Sequence, residues 1–356
     1  MNSLDEASTY KVDAAGMFEH IERLGSEFEV AWRKSAGMPI PGNSFDQIVI
    51  AAMGGSAAAA DYFSVWSEKE SPVPVRVVRG YSLPAYVDER TLLIALSYSG
   101  GTDEALACYA EAKYRGSQRL VISAGGELTR LATADGTPVH HIAYESPPRA
   151  ALGHSLAPLI RMGSRLGLVS MCDADIAAVA HAHSLLVQGH LGRAIPTETN
   201  PAKQIASFVL EGAPIVVFGA EHLAPAARRT RNQLAENAKL LALYEEVPEA
   251  THNIVEGLDT PVTGTPIGLS FDSPKLATGN RKRMEAVGKQ FSQAGGELAG
   301  LPTRGVSRLA DQFEACAWGD FISCYAALLR GIDPTPTPGL ARMRAEVSAD
   351  TARQLA

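Results

Sequence analysis

Four apolar runs closed by glycine or serine set the strongest limit on the fold: DQIVIAAMGGS (46–56), VPVRVVRG (73–80), TLLIALSYSGG (91–101) and QRLVISAGG (118–126). Runs of this length with little polar alternation suit strands buried on both faces, and their closing residues suit tight turns. Between them AAAADYFSVWSEK (57–69) and TDEALACYAEAKYRG (102–116) read as helices. The second has Thr102 at its N-cap and Asp103 and Glu104 in its first turn, where the helix dipole favours negative charge. Strand and helix in alternation predict an α/β fold, a parallel sheet covered by helices.

The segment 151–192 is mostly helical in pattern, with one proline at Pro158, and reads as a connector packed on the first unit. The pattern then restarts. PIVVFGAEH (214–222) reads as a buried strand, LAPAARRTRNQLAENAKL (223–240) as a helix, TPIGLSF (265–271) as a strand and RKRMEAVGKQFSQAGG (281–296) as a helix ending at a double glycine. RLADQFEACAWGDFISCYAALLRG (308–331) is a long apolar helix, in which Trp318 and its aromatic neighbours belong to the core, and DPTPTPGLARMR (333–344) is proline-rich and then helical. Two successive α/β units suggest an internal duplication. The expected divisions are 1–153, a helical connector 154–195, a second unit 196–331 and a tail 332–356.

Composition narrows the function. A chain of 356 residues, 46% hydrophobic and 20% charged, can bury two cores. Its net charge of −7 provides no basic field for nucleic acid or for an anionic membrane. Cys108, Cys172, Cys316 and Cys324 are too few for a disulfide framework and have no C-x-x-C spacing, which points to a reducing cytoplasm. The start, MNSLDEASTYKVD, is acidic where a signal peptide is basic, and no stretch offers 18 uninterrupted apolar residues.

Chemistry is expected where the strands end, because open α/β sheets bind ligands at their carboxyl edge. Gly54-Gly55-Ser56 precedes a helix, so free N–H groups and a hydroxyl converge on one point there. It matches neither the dinucleotide fingerprint nor a P-loop. Ser97-Tyr98-Ser99-Gly100-Gly101-Thr102 places three hydroxyls and two glycines at the next such turn, a set of neutral donors able to surround a phosphate.

MGGSAAAADY followed by LSYSGGTDEAL resembles the sugar isomerase (SIS) domain, whose hydroxyl-rich turns hold a sugar phosphate. Pro148-Arg149-Ala150, then Asn232-Gln233-Leu234-Ala235-Glu236-Asn237-Ala238-Lys239, His252-Asn253 and Arg330-Gly331-Ile332-Asp333-Pro334-Thr335-Pro336, resemble successive motifs of the bifunctional phosphoglucose/phosphomannose isomerase family. The resemblance spans roughly residues 45–340 and implies two SIS-type subdomains, each a parallel sheet flanked by helices. It departs from the family at Ala57 and Gly101, where the family has glycine and asparagine. No lysine follows Lys289, although the family has one in its final helix; Arg342 and Arg344 stand there instead.

The resemblance implies reversible conversion of glucose 6-phosphate and mannose 6-phosphate to fructose 6-phosphate through an enediolate, without cofactor, in a cytoplasmic homodimer with active sites at the interface. Aldose–ketose isomerisation needs a base, a cation beside the enediolate and a ring-opening acid/base. Glu236 is the candidate base, Arg149 the cation and His252 the ring opener, while His140, His141, His181, His183 and His190 read as structural. Gly55, Ser56, Ser97, Ser99 and Thr102 would hold the phosphate. Thr335, with Thr337 as the weaker candidate, would give room for both C2 epimers. The histidines at 140/141 and 181/183 lack matched carboxylates or cysteines, so no metal site is expected. The rival readings are a non-catalytic sensor of sugar phosphates and an SIS enzyme acting on amino sugar phosphates.

Overall fold

The apolar runs become strands of two all-parallel sheets, central ones except for VPVRVVRG (73–80), which forms a half-buried edge strand and not one buried on both faces, in a computed structural model that describes residues 3–42, 45–212, 214–259 and 264–354. In the first half the strands are β1 (Gln47–Ala52), β2 (Val75–Val78), β3 (Thr91–Leu96), β4 (Gln118–Ser123) and β5 (Val139–His141), ordered β2-β1-β3-β4-β5. In the second they are β6 (Ile215–Ala220), β7 (Ala242–Val247), β8 (Ile267–Asp272) and β9 (Glu297–Pro302), ordered β7-β6-β8-β9. The first strand of each half is central, the second lies on one side of it and the third and fourth on the other. The duplication suggested by the sequence is therefore present in the topology. All six residues of β3 and of β6 are buried, whereas the edge strands β2 and β7 carry Arg76, Glu245 and Glu246, charges that discourage edge pairing.

The helices are α1 (Met17–Lys34), α2 (Gly54–Ser67), α3 (Asp103–Tyr114), α4 (Gly126–Ala134), α5 (Leu152–Arg165), α6 (Asp173–Leu186), α7 (Pro201–Phe208), α8 (Ala224–Glu236), α9 (Thr278–Gln293), α10 (Arg308–Leu329) and α11 (Pro338–Gln354). The segment expected to be a connector holds α5 and α6, both packed on α1, while α6 also meets α10. Residues 309–328 of α10 are buried without exception, and the helix touches α1, α6, α7 and α8, so it is the shared core of both halves. A helix buried all round must pair its polar residues. Asp311, Glu314, Asp320 and Ser323 each do so, Gln312 does so through Nε2 while its Oε1 has no partner among the described residues, and Asp320 and Ser323 reach the site described next.

Candidate active site

β1 and β3 run side by side with Ala52 beside Leu96, so the segments leaving them emerge together at the carboxyl edge of the first sheet. After β1, α2 begins at Gly54 itself, earlier than the expected position 57, and places Ser56 in its first turn. Buried Ser56 Oγ accepts from Tyr98 N at 3.1 Å, which ties the first loop to the second. Buried Ser97 Oγ lies 2.8 Å from Thr102 Oγ1 and accepts from Gly100 N at 3.1 Å. Ser99 is exposed, and its Oγ accepts from Gly101 N at 3.3 Å. Thr102 takes the N-cap position of α3, but its hydroxyl turns to Ser97 instead of capping the helix. Neither α2 nor α3 has a side-chain cap, so the N–H groups of both first turns are open to an external acceptor.

Gly55 lies beneath the short turn Pro148–Ala150, which brings Arg149 to this edge. Arg149 is buried. Its Nε donates to Asn237 Oδ1 at 2.8 Å, its Nη2 donates to the carbonyls of Pro334 and Thr335 at 2.8 Å each, and its Nη1 stands 3.6 Å from Glu236 Oε2. Burial works against the Arg149 charge and the Glu236 carboxylate supports it, with a net downward shift that leaves a guanidinium fully protonated. Glu236 ends α8 with 27% of its side chain exposed, so its carboxylate faces the guanidinium on one side and open space on another.

The polar residues of α10 hold this arrangement from behind. Asp320 pairs with buried Arg229, which donates to the Arg149 carbonyl at 3.0 Å, and Gln233 Nε2 donates to Asp320 Oδ1 at 2.6 Å. Burial penalises the Arg229 charge, while Asp320 foremost among its neighbours supports it, with a net rise in its proton affinity. Asn237 Nδ2 donates to Ser323 Oγ at 3.0 Å. Gly319 allows α8 this close: a β-carbon there would meet Thr230 Oγ1 at 2.1 Å. Thr335 N donates to Asp333 Oδ1 at 2.9 Å, while Thr335 Oγ1 is buried with no partner among the described residues.

The structure thus links Thr102, Ser97, Ser99, Ser56, Gly55, Arg149, Glu236 and Thr335 in one continuous region. His252 is not joined to it. It ends the turn Glu249–His252 after β7, exposed, and its side chain has no hydrogen-bond or ion-pair partner among the described residues. Arg229, Gln233, Asn237 and Asp320 bond to this region from behind, and the motif reading assigned no role to any of them. Their signal was available: Arg229, Gln233 and Asn237 recur every four residues on one helical face, and Asp320 is a carboxylate in an apolar helix. Among the described residues, no group of three or more His, Cys, Asp or Glu side chains could hold a metal. No described helix is long and apolar enough to cross a membrane.

The corresponding edge of the second sheet is built differently. Glu221 follows β6 where Gly54 follows β1, both with left-handed backbone (φ 50° and 53°). Its Oε1 accepts from Ala277 N and from Asn280 Nδ2, each at 2.8 Å, at the start of α9. Beside it Asp311 accepts from Ser273 Oγ at 2.6 Å and from Gly305 N at 2.8 Å, and lies 3.2 Å from His222 Nε2. Carboxylates of the chain itself occupy the edge that the first half leaves open.

Two parallel sheets with hydroxyl-bearing turns and uncapped helix starts at one edge define a protein built from SIS domains. Residues 44–148 match the SIS domain and residues 198–347 match the bacterial phospho-glucose isomerase C-terminal SIS domain. The chain belongs to the bifunctional phosphoglucose/phosphomannose isomerase family. It is 32% identical over 324 residues to the bifunctional phosphoglucose/phosphomannose isomerase of Caldicellulosiruptor bescii, covering 90% of this chain and 95% of that protein. The protein of the same name from Aquifex aeolicus is 29% identical over 93% of this chain and 98% of its own length. The C-terminal domain of glucosamine-fructose-6-phosphate aminotransferase from Francisella tularensis shares the fold, with a TM-score of 0.70 at 16% identity over 90% of this chain and 98% of that one.

Proposed function

We propose that this protein interconverts glucose 6-phosphate and mannose 6-phosphate with fructose 6-phosphate, using no cofactor. The observation that carries the reading is Arg149 Nη1 at 3.6 Å from Glu236 Oε2, a buried cation beside a solvent-facing carboxylate. Glu236 takes the C2 hydrogen as a proton and returns it at C1, while Arg149 stabilises the oxyanion of the enediolate between the two steps. The phosphate rests on Ser56, Ser97, Ser99, Thr102, the Gly55 backbone and the two uncapped helix starts. Thr335 leaves room for rotation about C2–C3, so that either epimer presents its C2 hydrogen to the same base. His252 opens the ring. Its exposure and lack of partners fit delivery to the site of a second copy in a homodimer.

In this reading 1–153 and 196–331 are SIS-type subdomains, 154–195 joins them and 332–356 forms the tail bearing Thr335. The reaction is placed in the cytoplasm, in keeping with four free cysteines. A second reading, an amino sugar phosphate as substrate, is favoured by 27% identity over 61% of this chain to a D-glucosamine-6-phosphate 4-epimerase of Sulfolobus acidocaldarius. The test is fructose 6-phosphate formation after metal chelation, with glucose 6-phosphate and mannose 6-phosphate supplied separately, while consumption of glucosamine 6-phosphate is followed by NMR for the second reading. Turnover of the first two at comparable rates is the expected result. Turnover of neither overturns the proposal.

A further inference from the structure

The segment Pro334-Thr335-Pro336 has little means of holding itself in place, since both prolines lack an N–H and Thr335 N is spent on Asp333 Oδ1. Its carbonyls are instead received by two cations. Arg149 Nη2 takes those of Pro334 and Thr335, and Lys239 Nζ takes that of Pro336 at 2.7 Å while also donating to the Glu236 carbonyl. Four residues before that segment, at the end of α10, Arg330 Nη1 reaches back to the carbonyls of Ala238 and Lys239, the latter at 3.0 Å. Lys239 does this from a left-handed backbone, φ 56°, a conformation unfavourable for any residue with a β-carbon. Burial and the nearby Arg149 charge also lower the proton affinity of its ammonium. A lysine is an unfavourable choice at this position on both counts, and what it contributes in return is the bond to Pro336.

We infer that Lys239 is a positioning residue for Thr335: together with Arg149, which faces Glu236, it clamps three successive carbonyls and so sets where Thr335 stands. It governs the relative rates on the two C2 epimers without touching either. The consequence for specificity rests on the proposed isomerase activity; the clamp itself does not.

Glycine accepts a φ of 56° without strain, so Lys239→Gly removes the ammonium and leaves the backbone at ease. K239N, also tolerant of left-handed backbone, stands in if K239G does not fold. Two measurements are made on the full chain. Hydrogen exchange of the peptide covering 330–342 should speed up by roughly tenfold, the factor for losing a charged hydrogen bond. The ratio of mannose 6-phosphate to glucose 6-phosphate kcat/KM should change, with thermal stability unchanged or higher. Unmodified exchange in the variant overturns the clamp. Faster exchange with an unchanged epimer ratio overturns the role in specificity. If the unmodified protein turns over neither sugar, the isomerase reading fails, and with it the role in specificity, while exchange still decides the clamp.

Discussion

Gly55 lies under the backbone of Arg149: a β-carbon on Gly55 would stand 2.9 Å from Arg149 N and 2.8 Å from Pro148 O. The first hydroxyl loop and the turn carrying the cation are thus in contact with no space for a methyl group. Gly55→Ala should push the Pro148–Arg149 peptide outward, at a cost of about 1–3 kcal/mol for an overpacked contact. Because Arg149 is aimed through this turn, kcat/KM should fall by more than roughly tenfold, since small displacements of a catalytic group are expensive. Thermal denaturation and steady-state kinetics on the variant check both. Unaltered kinetics would show that the turn tolerates displacement.

Glu236→Gln keeps the shape of the side chain and removes its basicity. Arg149 retains its three hydrogen bonds to Asn237, Pro334 and Thr335, so stability should change by no more than about 1 kcal/mol, as for a partly exposed ion pair. Isomerisation and incorporation of solvent deuterium at C2 should both cease while sugar phosphate binding persists. Deuterium incorporation followed by NMR is the decisive readout, and its survival would assign the base to another group.

What the sequence makes legible follows from burial. β1, β3, β6 and β8 are central and read directly as apolar runs. β7 (ALYEEV) and β9 (ELAGLP) alternate with charge or contain glycine and proline because they lie at or near an edge, and β5 has only three residues. α1 has no apolar run at all. Its signal is the spacing of Phe18, Ile21, Leu24, Phe28 and Ala31, which a search for runs passes over. At the site, Arg149 and Glu236 are legible through their motifs. Arg229, near Arg228 and Arg231, is marked in the sequence by its four-residue spacing from Gln233 and Asn237, and the fold adds its partner by placing it against Asp320.

The two serines of the second loop separate in role. Ser97 is buried and bridges Thr102 and Gly100 N, whereas Ser99 is exposed and its hydroxyl, among the described residues, meets Gly101 N alone. Ser97→Ala leaves a buried N–H less well satisfied and should cost about 1–2 kcal/mol of stability together with substrate affinity. Ser99→Ala should leave stability within about 0.5 kcal/mol, as at other surface positions, and raise KM. Urea denaturation and substrate titration of each single variant separate the two effects.

His183 is buried within α6, and burial pushes its imidazole down to about 4, with the Asp320 charge opposing only in part. The folded protein therefore holds this histidine neutral where the unfolded chain, titrating near its ordinary value of about 6.5, takes up a proton. Stability should fall as pH drops from about 6.5 to about 4, level off below that, and be independent of this group above about 7. The loss at pH 5 is on the order of 2 kcal/mol. Urea midpoints at pH 8, 6.5 and 5 should show the decline, and His183→Leu should lose that portion of it. An equal pH slope in the variant would assign the effect to other groups.

Glu221 bears on how many phosphosugars one chain can hold. The two sheets share a topology, yet at the second one the Glu221 carboxylate already accepts the Ala277 N–H at the start of α9 and the Asn280 amide. A carboxylate standing at a helix start repels an external anion and offsets the dipole that would attract it. Unmodified protein should therefore bind one sugar phosphate per chain in calorimetric titration. Glu221→Ala removes the acceptor of the Ala277 N–H and of the Asn280 side-chain amide and should destabilise by about 0.5–1.5 kcal/mol, the usual net worth of a hydrogen bond. It should leave kcat/KM within roughly twofold, because the Glu221 carboxylate bonds to Ala277 and Asn280 and not to Arg149. A stoichiometry of two in the unmodified chain, or a large kinetic loss in Glu221→Ala, would mean that the second sheet takes part in substrate binding.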